Sequence, residues 1–181
     1  MASLIIHLYV AQQYLKKHTE ILNKEDFLNG SLAPDLEKEK VKAHYGKVTA
    51  KPILKDYLLD NGINNDFDKG YFIHLLTDLL FYNYLIDIDY QINKYGLNTW
   101  KKLLYDDYDI ISTKYVKKLD VEIPECVQKY IVYKDKSLSL FQEEDLDKLV
   151  NNISNINIDK LILEIKENSD FNTIEYFKNM K

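Results

Sequence analysis

His74 and Asp78 stand four residues apart in the stretch Gly70-Tyr71-Phe72-Ile73-His74-Leu75-Leu76-Thr77-Asp78. On a helix that spacing puts both side chains on one face, about one turn apart. An imidazole nitrogen and a carboxylate oxygen presented in this way can chelate one divalent ion. The surrounding residues are apolar nearly all round, and burying both polar groups among them is costly unless something pairs with them. A shared cation meets that need, and so does a direct His–Asp hydrogen bond. The helix alone leaves both open. The single cysteine, Cys126, excludes a thiolate cluster within the chain, so a bound metal would have to be held by His, Asp and Glu.

Three further residues are candidate ligands, each with an ordinary alternative. His7 interrupts the apolar stripe of the first helix and could equally be a satisfied core histidine. Asp35 follows Pro34 and could instead cap the segment that starts at Leu36. His44 precedes Tyr45-Gly46, where a helix should be ending, and could simply favour a helix C-terminus. Tyr82 lies one turn beyond Asp78, where its hydroxyl could reach that carboxylate or a metal-bound water. The fourth histidine, His18, is expected near the exposed end of the first helix.

The elements that must position these residues read as helices throughout. Leu4, Ile5, Leu8, Ala11, Tyr14 and Leu15 follow a 3/4 rhythm, predicting a helix from about Leu4 to Lys17. A short helix, Glu25 to Asn29, is expected after Asn23 as cap, with Gly30 stopping it and Ser31 to Leu36 forming a loop around Pro34. The next helix spans roughly Lys51 to Asn61, with Pro52 in its first turn. The longest is capped by Asn65 or Asp66 and runs to about Lys94, just before Gly96. Later helices are expected near Thr99–Leu104, Ile110–Leu119, Pro124–Tyr133, Glu143–Asn151 and Asp159–Glu167, with one more within Phe171–Met180. The predicted class is all-α. It is one multi-helix domain over residues 1–181, whose half 1–95 holds the metal site while 96–181 completes the core.

Composition limits the partners. The 181 residues include only 5 Gly and 3 Pro, too few breakers for a sandwich or barrel. All 24 basic residues are Lys, and the net charge is −5. Residues 1–56 hold 9 Lys against 7 acids, and the rest 15 against 22. No basic patch with Arg forks is present, so nucleic acid is not an expected partner. No run reaches the ~18–20 apolar residues needed to span a bilayer. The opening segment lacks the basic region of an export signal, which makes the cytoplasm the expected location. The sequence is silent on oligomeric state.

Taken in order, His7, the Leu28-Asn29-Gly30-Ser31-Leu32-Ala33-Pro34-Asp35 segment, His44 and the Gly70-to-Asp78 helix resemble the zinc-dependent phospholipase C superfamily, which includes relatives of single-strand-specific nucleases. The resemblance covers about Leu4 to Leu85. It implies a phospholipase C-like helical fold with Asp35, His44, His74 and Asp78 as ligands of one ion. It also implies His7 as a ligand of a second ion, bridged to the first by Asp78. Such an N/O set suits Zn and tolerates Fe, Mn or Ni. The fourth residue after Asp78 is Tyr82 where many relatives have His, and no histidine follows His74, so the resemblance implies one or two ions rather than three.

The function implied is a metal-dependent hydrolase acting on phosphoester bonds through metal-activated water, with a small phosphoester or phospholipid headgroup as substrate. Asp35 is the candidate proton acceptor. With no Arg, the ions, Lys47 or Tyr45 would have to face the phosphoryl charge. The alternative is a non-catalytic helical protein whose metal, or bare His/Asp cluster, only holds helices together. An HD-type phosphohydrolase ranks below both, because no His here is followed by Asp.

Overall fold

The computed structural model describes residues 3–180. These residues form α-helices with one π-helical and one 3-10 turn, and no strand occurs among them. Helix α1 spans Leu4–Lys17, and its N-cap Ser3 accepts from the Ile6 N–H. Its Ile5, Ile6, Leu8 and Val10 are buried. Burying such a side chain stabilises by about 2 kcal/mol, well above the few tenths that β-branching costs in a helix. Packing therefore decides this element.

Helix α2 spans Lys24–Leu36, which corrects the expected stop at Gly30 and the loop around Pro34. Asn23 caps it, accepting from the Asp26 N–H at 3.1 Å, with Glu25 and Asp26 favourably placed in the first turn. Pro34 sits so near the end that only one intrahelical hydrogen bond is lost. Gly30 serves the packing of α2 rather than its termination. A Cβ on Gly30 would collide with the Phe67 carbonyl oxygen, and one on Gly70 with the Phe27 carbonyl oxygen. Two helices thus cross in backbone contact at a reciprocal pair of glycines.

The second of those helices is α5. It follows α3 (Lys40–Ala43) and α4 (Leu54–Asp60), and it spans Asp66–Leu80. Asn65 caps it, accepting from the Asp68 N–H at 2.9 Å. Asp66, in the first turn of α5, accepts from the backbone N–H groups of Leu22 and Asn23, tying the start of α5 to the α1–α2 turn. The expected long helix to Lys94 is interrupted. A π-turn occupies Phe81–Leu85, Asp87 adopts a left-handed conformation (φ 55°), and a new helix, α6, spans Ile88–Tyr95. Asp87 accepts from the Tyr90 N–H, so an acidic cap restarts the helix where the apolar pattern had seemed continuous.

The expected helices at Thr99–Leu104 and Ile110–Leu119 are one, α7 (Leu97–Tyr115), extended by a 3-10 turn. In place of Pro124–Tyr133 only Glu125–Gln128 is helical (α8). Helices α9 (Glu143–Ser154), α10 (Ile158–Glu167) and α11 (Thr173–Lys178) lie close to their expected places. One apolar core runs from Ile5 through Phe177, so both halves of the chain share it. The buried Gln12 on α1 accepts from the Asp120 and Val121 N–H groups and donates to the Lys118 carbonyl. Buried Asp107 on α7 accepts from the Ser139 and Leu140 N–H groups at 2.8 and 2.9 Å, pinning the segment that precedes α9.

Candidate metal centre

Four elements converge on one buried cluster. α1 contributes His7, α2 Asp35, the C-terminus of α3 His44, and α5 both His74 and Asp78. None of the five side chains is exposed. The α2–α5 crossing sets Asp35 opposite His74 and Asp78. Tyr71 of α5 donates to the Ala43 carbonyl at 2.6 Å and so holds the end of α3 in place, which presents His44.

The orientations of two rings follow from their outer hydrogen bonds. His44 Nδ1 lies 2.6 Å from the Lys40 carbonyl oxygen, and His74 Nδ1 lies 2.7 Å from that of Ser31. A carbonyl only accepts, so both Nδ1 atoms carry the hydrogen and both Nε2 atoms face inward. Those Nε2 atoms are 3.1 Å apart. Two lone pairs cannot share that distance comfortably. Either a proton on one ring or a cation between them is required.

The carboxylates make the same demand. Asp35 Oδ1 is 3.4 Å from His44 Nε2 and 3.7 Å from His74 Nε2. Asp78 Oδ2 is 3.1 Å and 3.6 Å from the same two atoms. Four donors at bonds of ~2.0–2.2 Å in a tetrahedron would stand ~3.4 Å from one another. These four atoms match that spacing. The other oxygens turn to His7, with Asp78 Oδ1 at 3.4 Å and Asp35 Oδ2 at 3.8 Å from its Nε2. Each carboxylate thus splits its oxygens, one toward the His44–His74 pair and one toward His7. His7 itself stacks on His74, with centroids 3.7 Å apart.

Both ring nitrogens of His7 and both oxygens of Asp35 are buried without a hydrogen bond among the described residues. Each such atom costs about 1–3 kcal/mol unless satisfied. Two divalent ions together would satisfy three of the four, the Asp35 oxygens and His7 Nε2, which the His–Asp hydrogen bond considered from sequence does not. Among the described residues His7 Nδ1 has no backbone carbonyl to orient it, unlike His44 and His74.

No family model, curated protein or solved structure matches this chain. The site's chemistry therefore rests on its own residues.

Burial opposes charge throughout the cluster, and opposite charges decide the outcome at His44, Asp35 and Asp78 but not at His7. Burial pulls the His44 pKa down, yet the Asp35 and Asp78 carboxylates, 3.4 and 3.1 Å from its Nε2, outweigh that and raise it to about 9. Burial likewise opposes ionisation of Asp35, but His74, His44 and His7 hold it below the usual carboxylate value. Asp78 is held lower still, burial again being overridden by nearby positive charge and by the three histidines 3.1–3.6 Å away. Buried His7 is shifted the other way, below 6.5, with desolvation first and His74 second. Without an ion, His44 carries the proton that a metal would displace.

A pH dependence follows. In the metal-free chain the raised His44 pKa contributes stability that is complete below about pH 6.5 and lost as pH rises through about 9. The depressed Asp35 and Asp78 contribute stability that is present above about pH 4 and lost on acidification. Thermal melts in chelator should fall between pH 7 and 10, and saturating zinc should remove most of that alkaline loss. Equal slopes with and without zinc would contradict the exchange of proton for metal at His44.

A cavity of about 1020 Å³ reaches the cluster at Asp35, which lines it together with Tyr82 and Tyr108. None of His7, His44, His74 and Asp78 lines it. Tyr82 lies one turn beyond Asp78 within the π-turn, buried, and its hydroxyl meets that of Tyr108 at 2.5 Å. Burial pushes both phenols well above 10, so both remain neutral donors. Tyr108 comes from α7 and was not anticipated, because no local pattern links it to a residue 26 positions earlier. Lys47 and Tyr45 do not line the cavity, and the Tyr45 hydroxyl accepts instead from Asn61. His18 ends α1 as expected, its Nε2 against the Ser154 carbonyl. Among the described residues no helix is long and apolar enough to cross a membrane.

Proposed function

We propose that this chain is a metal-dependent hydrolase of phosphoester bonds, related in design to the zinc-dependent phospholipase C superfamily. The observation that carries the reading is the pair of carboxylates, each dividing its oxygens between the His44–His74 pair and His7 beside a large cavity. His44, His74, Asp35 and Asp78 would hold one ion, and His7 with the outer oxygens of Asp35 and Asp78 a second. Zinc suits this nitrogen–oxygen set, with Fe, Mn or Ni as substitutes. When bound, such ions lower the pKa of water toward ~7 and offset charge on a phosphoryl oxygen.

The chain's own residues supply the rest. Asp35 is the one member of the cluster that borders the cavity, so it orients the attacking water there. Its depressed pKa makes it a ligand first and a proton acceptor second. The Tyr82–Tyr108 hydroxyl pair is a neutral donor toward the phosphoryl group, in a chain without Arg. The backbone carbonyls of Lys40 and Ser31 keep both imidazoles turned inward through the reaction.

One observation favours the second reading, a metal that only braces the helices. The three histidines and Asp78 are closed off from the cavity, as structural sites are. Elemental analysis of the purified protein, with hydrolysis of bis(p-nitrophenyl) phosphate and p-nitrophenyl phosphate before and after chelation, separates the two. Stoichiometric metal with turnover that chelator abolishes and zinc restores is expected. Stoichiometric metal without turnover of either ester would leave only the structural role.

A further inference from the structure

The cavity beside the cluster has a chemistry of its own. Val41, Val48, Leu97, Tyr105, Tyr130 and Val132 are each 46–66% exposed, and all six line it. Its inner wall adds Trp100 and Leu104, both buried. Scattered exposed apolar residues need no explanation, but their collection around one opening marks a place where an apolar body is received.

Charge at the same opening is unbalanced. Four lysines line it: Lys40, Lys51, Lys101 and Lys129. Besides Asp35, its acids are Asp89 and Asp109. Asp89 is paired with Lys51 at 2.8 Å, and Asp109 lies 3.9 Å from Lys134. Asp35 faces the histidines. Lys40, Lys101 and Lys129 are left with no carboxylate partner among the described residues; Lys129 lies 5.1 Å over the Tyr130 ring. The opening is therefore apolar with a positive rim in a chain whose net charge is −5.

We propose that this cavity binds an amphiphilic anion, with its apolar body against Trp100 and Leu104 and its anionic head at Lys40, Lys101 and Lys129. The site opens onto the cluster at Asp35 but takes its ligand on residues outside it, and its occupancy does not require hydrolysis. Carboxylate and phosphate heads share the needed chemistry, and the test separates them.

Trp100 is the only tryptophan, so its fluorescence reports occupancy directly. The chelated full-length protein is titrated with decanoate, decyl phosphate, decanol and decyltrimethylammonium, each below its aggregation threshold. Saturable one-to-one changes are expected with both anions, about tenfold tighter than with the alcohol or the cation. The tighter anion identifies the head group. The double variant Lys101→Glu/Lys129→Glu, both residues being exposed, should lose that advantage while its zinc content stays at the parent level. Absence of a saturable signal from any probe overturns the proposal, as does equal affinity for decanoate and decanol. Because the titration is done without metal, failure here leaves the hydrolase reading standing, and failure of the hydrolase reading leaves this one standing.

Discussion

Asp78→Ala and His74→Ala are each expected to cut bound zinc from at least about one ion per chain to background after dialysis, read by elemental analysis. Both residues sit on α5 with Nε2 and Oδ2 3.6 Å apart, and both face His44. Removing either leaves three donors at most around the first ion. Removing Asp78 also takes an oxygen from His7. Zinc at ~1,000 times its dissociation constant stabilises the parent by ~4 kcal/mol, and that shift should vanish in both variants. In chelator, Asp78→Ala should still cost about 3–5 kcal/mol, because a protonated His44 loses a buried partner. Full zinc occupancy in both variants would end the assignment of this cluster as a metal centre.

Gly70→Ala is expected to destabilise the chain by about 3 kcal/mol or more, at or beyond the upper end of overpacking costs. The added methyl would lie on the Phe27 carbonyl oxygen, and backbone cannot swing aside as a side chain can. If the variant folds, α2 must retreat from α5 and carry Asp35 away from His74 and Asp78, so zinc content should fall as well. Gly96→Ala is the contrast. Gly96 has φ 75° but nothing within 4 Å of an added methyl, so it should cost about 1 kcal/mol and leave the metal alone. A Gly70→Ala protein as stable as its parent would show that the two helices do not touch through their main chains.

Much of the fold could be read from local chemistry. α1, α9 and α10 carry apolar residues at helical spacing, and they appear where that spacing put them. Asn23 announced one cap correctly, and of the two candidates Asn65 and Asp66 it is Asn65 that caps the other helix. The errors arose where tertiary packing overrode a local rule. Gly30 normally ends a helix and Pro34 normally marks a loop, yet α2 runs through both because the glycine permits contact with α5. The break after Phe81 is invisible in hydropathy, since the π-turn and the Asp87 cap leave the apolar pattern intact.

The candidate site divides in the same way. His7, Asp35, His44, His74 and Asp78 could be named as a set only through a family resemblance in their order, since each alone has an ordinary reading, and the fold brings all five together. Tyr108, Trp100, Lys101 and Lys129 could not, because each belongs to α7 or the end of α8 and acquires meaning only when that half closes over the first.

The glycine crossing has a consequence for ionic selectivity. Where two main chains touch, the spacing of the backbones that carry Asp35 on α2 and Asp78 on α5 is set by peptide dimensions, not by rotamers that relax. Such a caliper has a fixed bite. Calcium, which asks for longer bonds at 2.3–2.6 Å and six to eight oxygens, would find neither the room nor the donors. Replacements in the outer wall would then leave the radius of any cation held by the cluster unchanged.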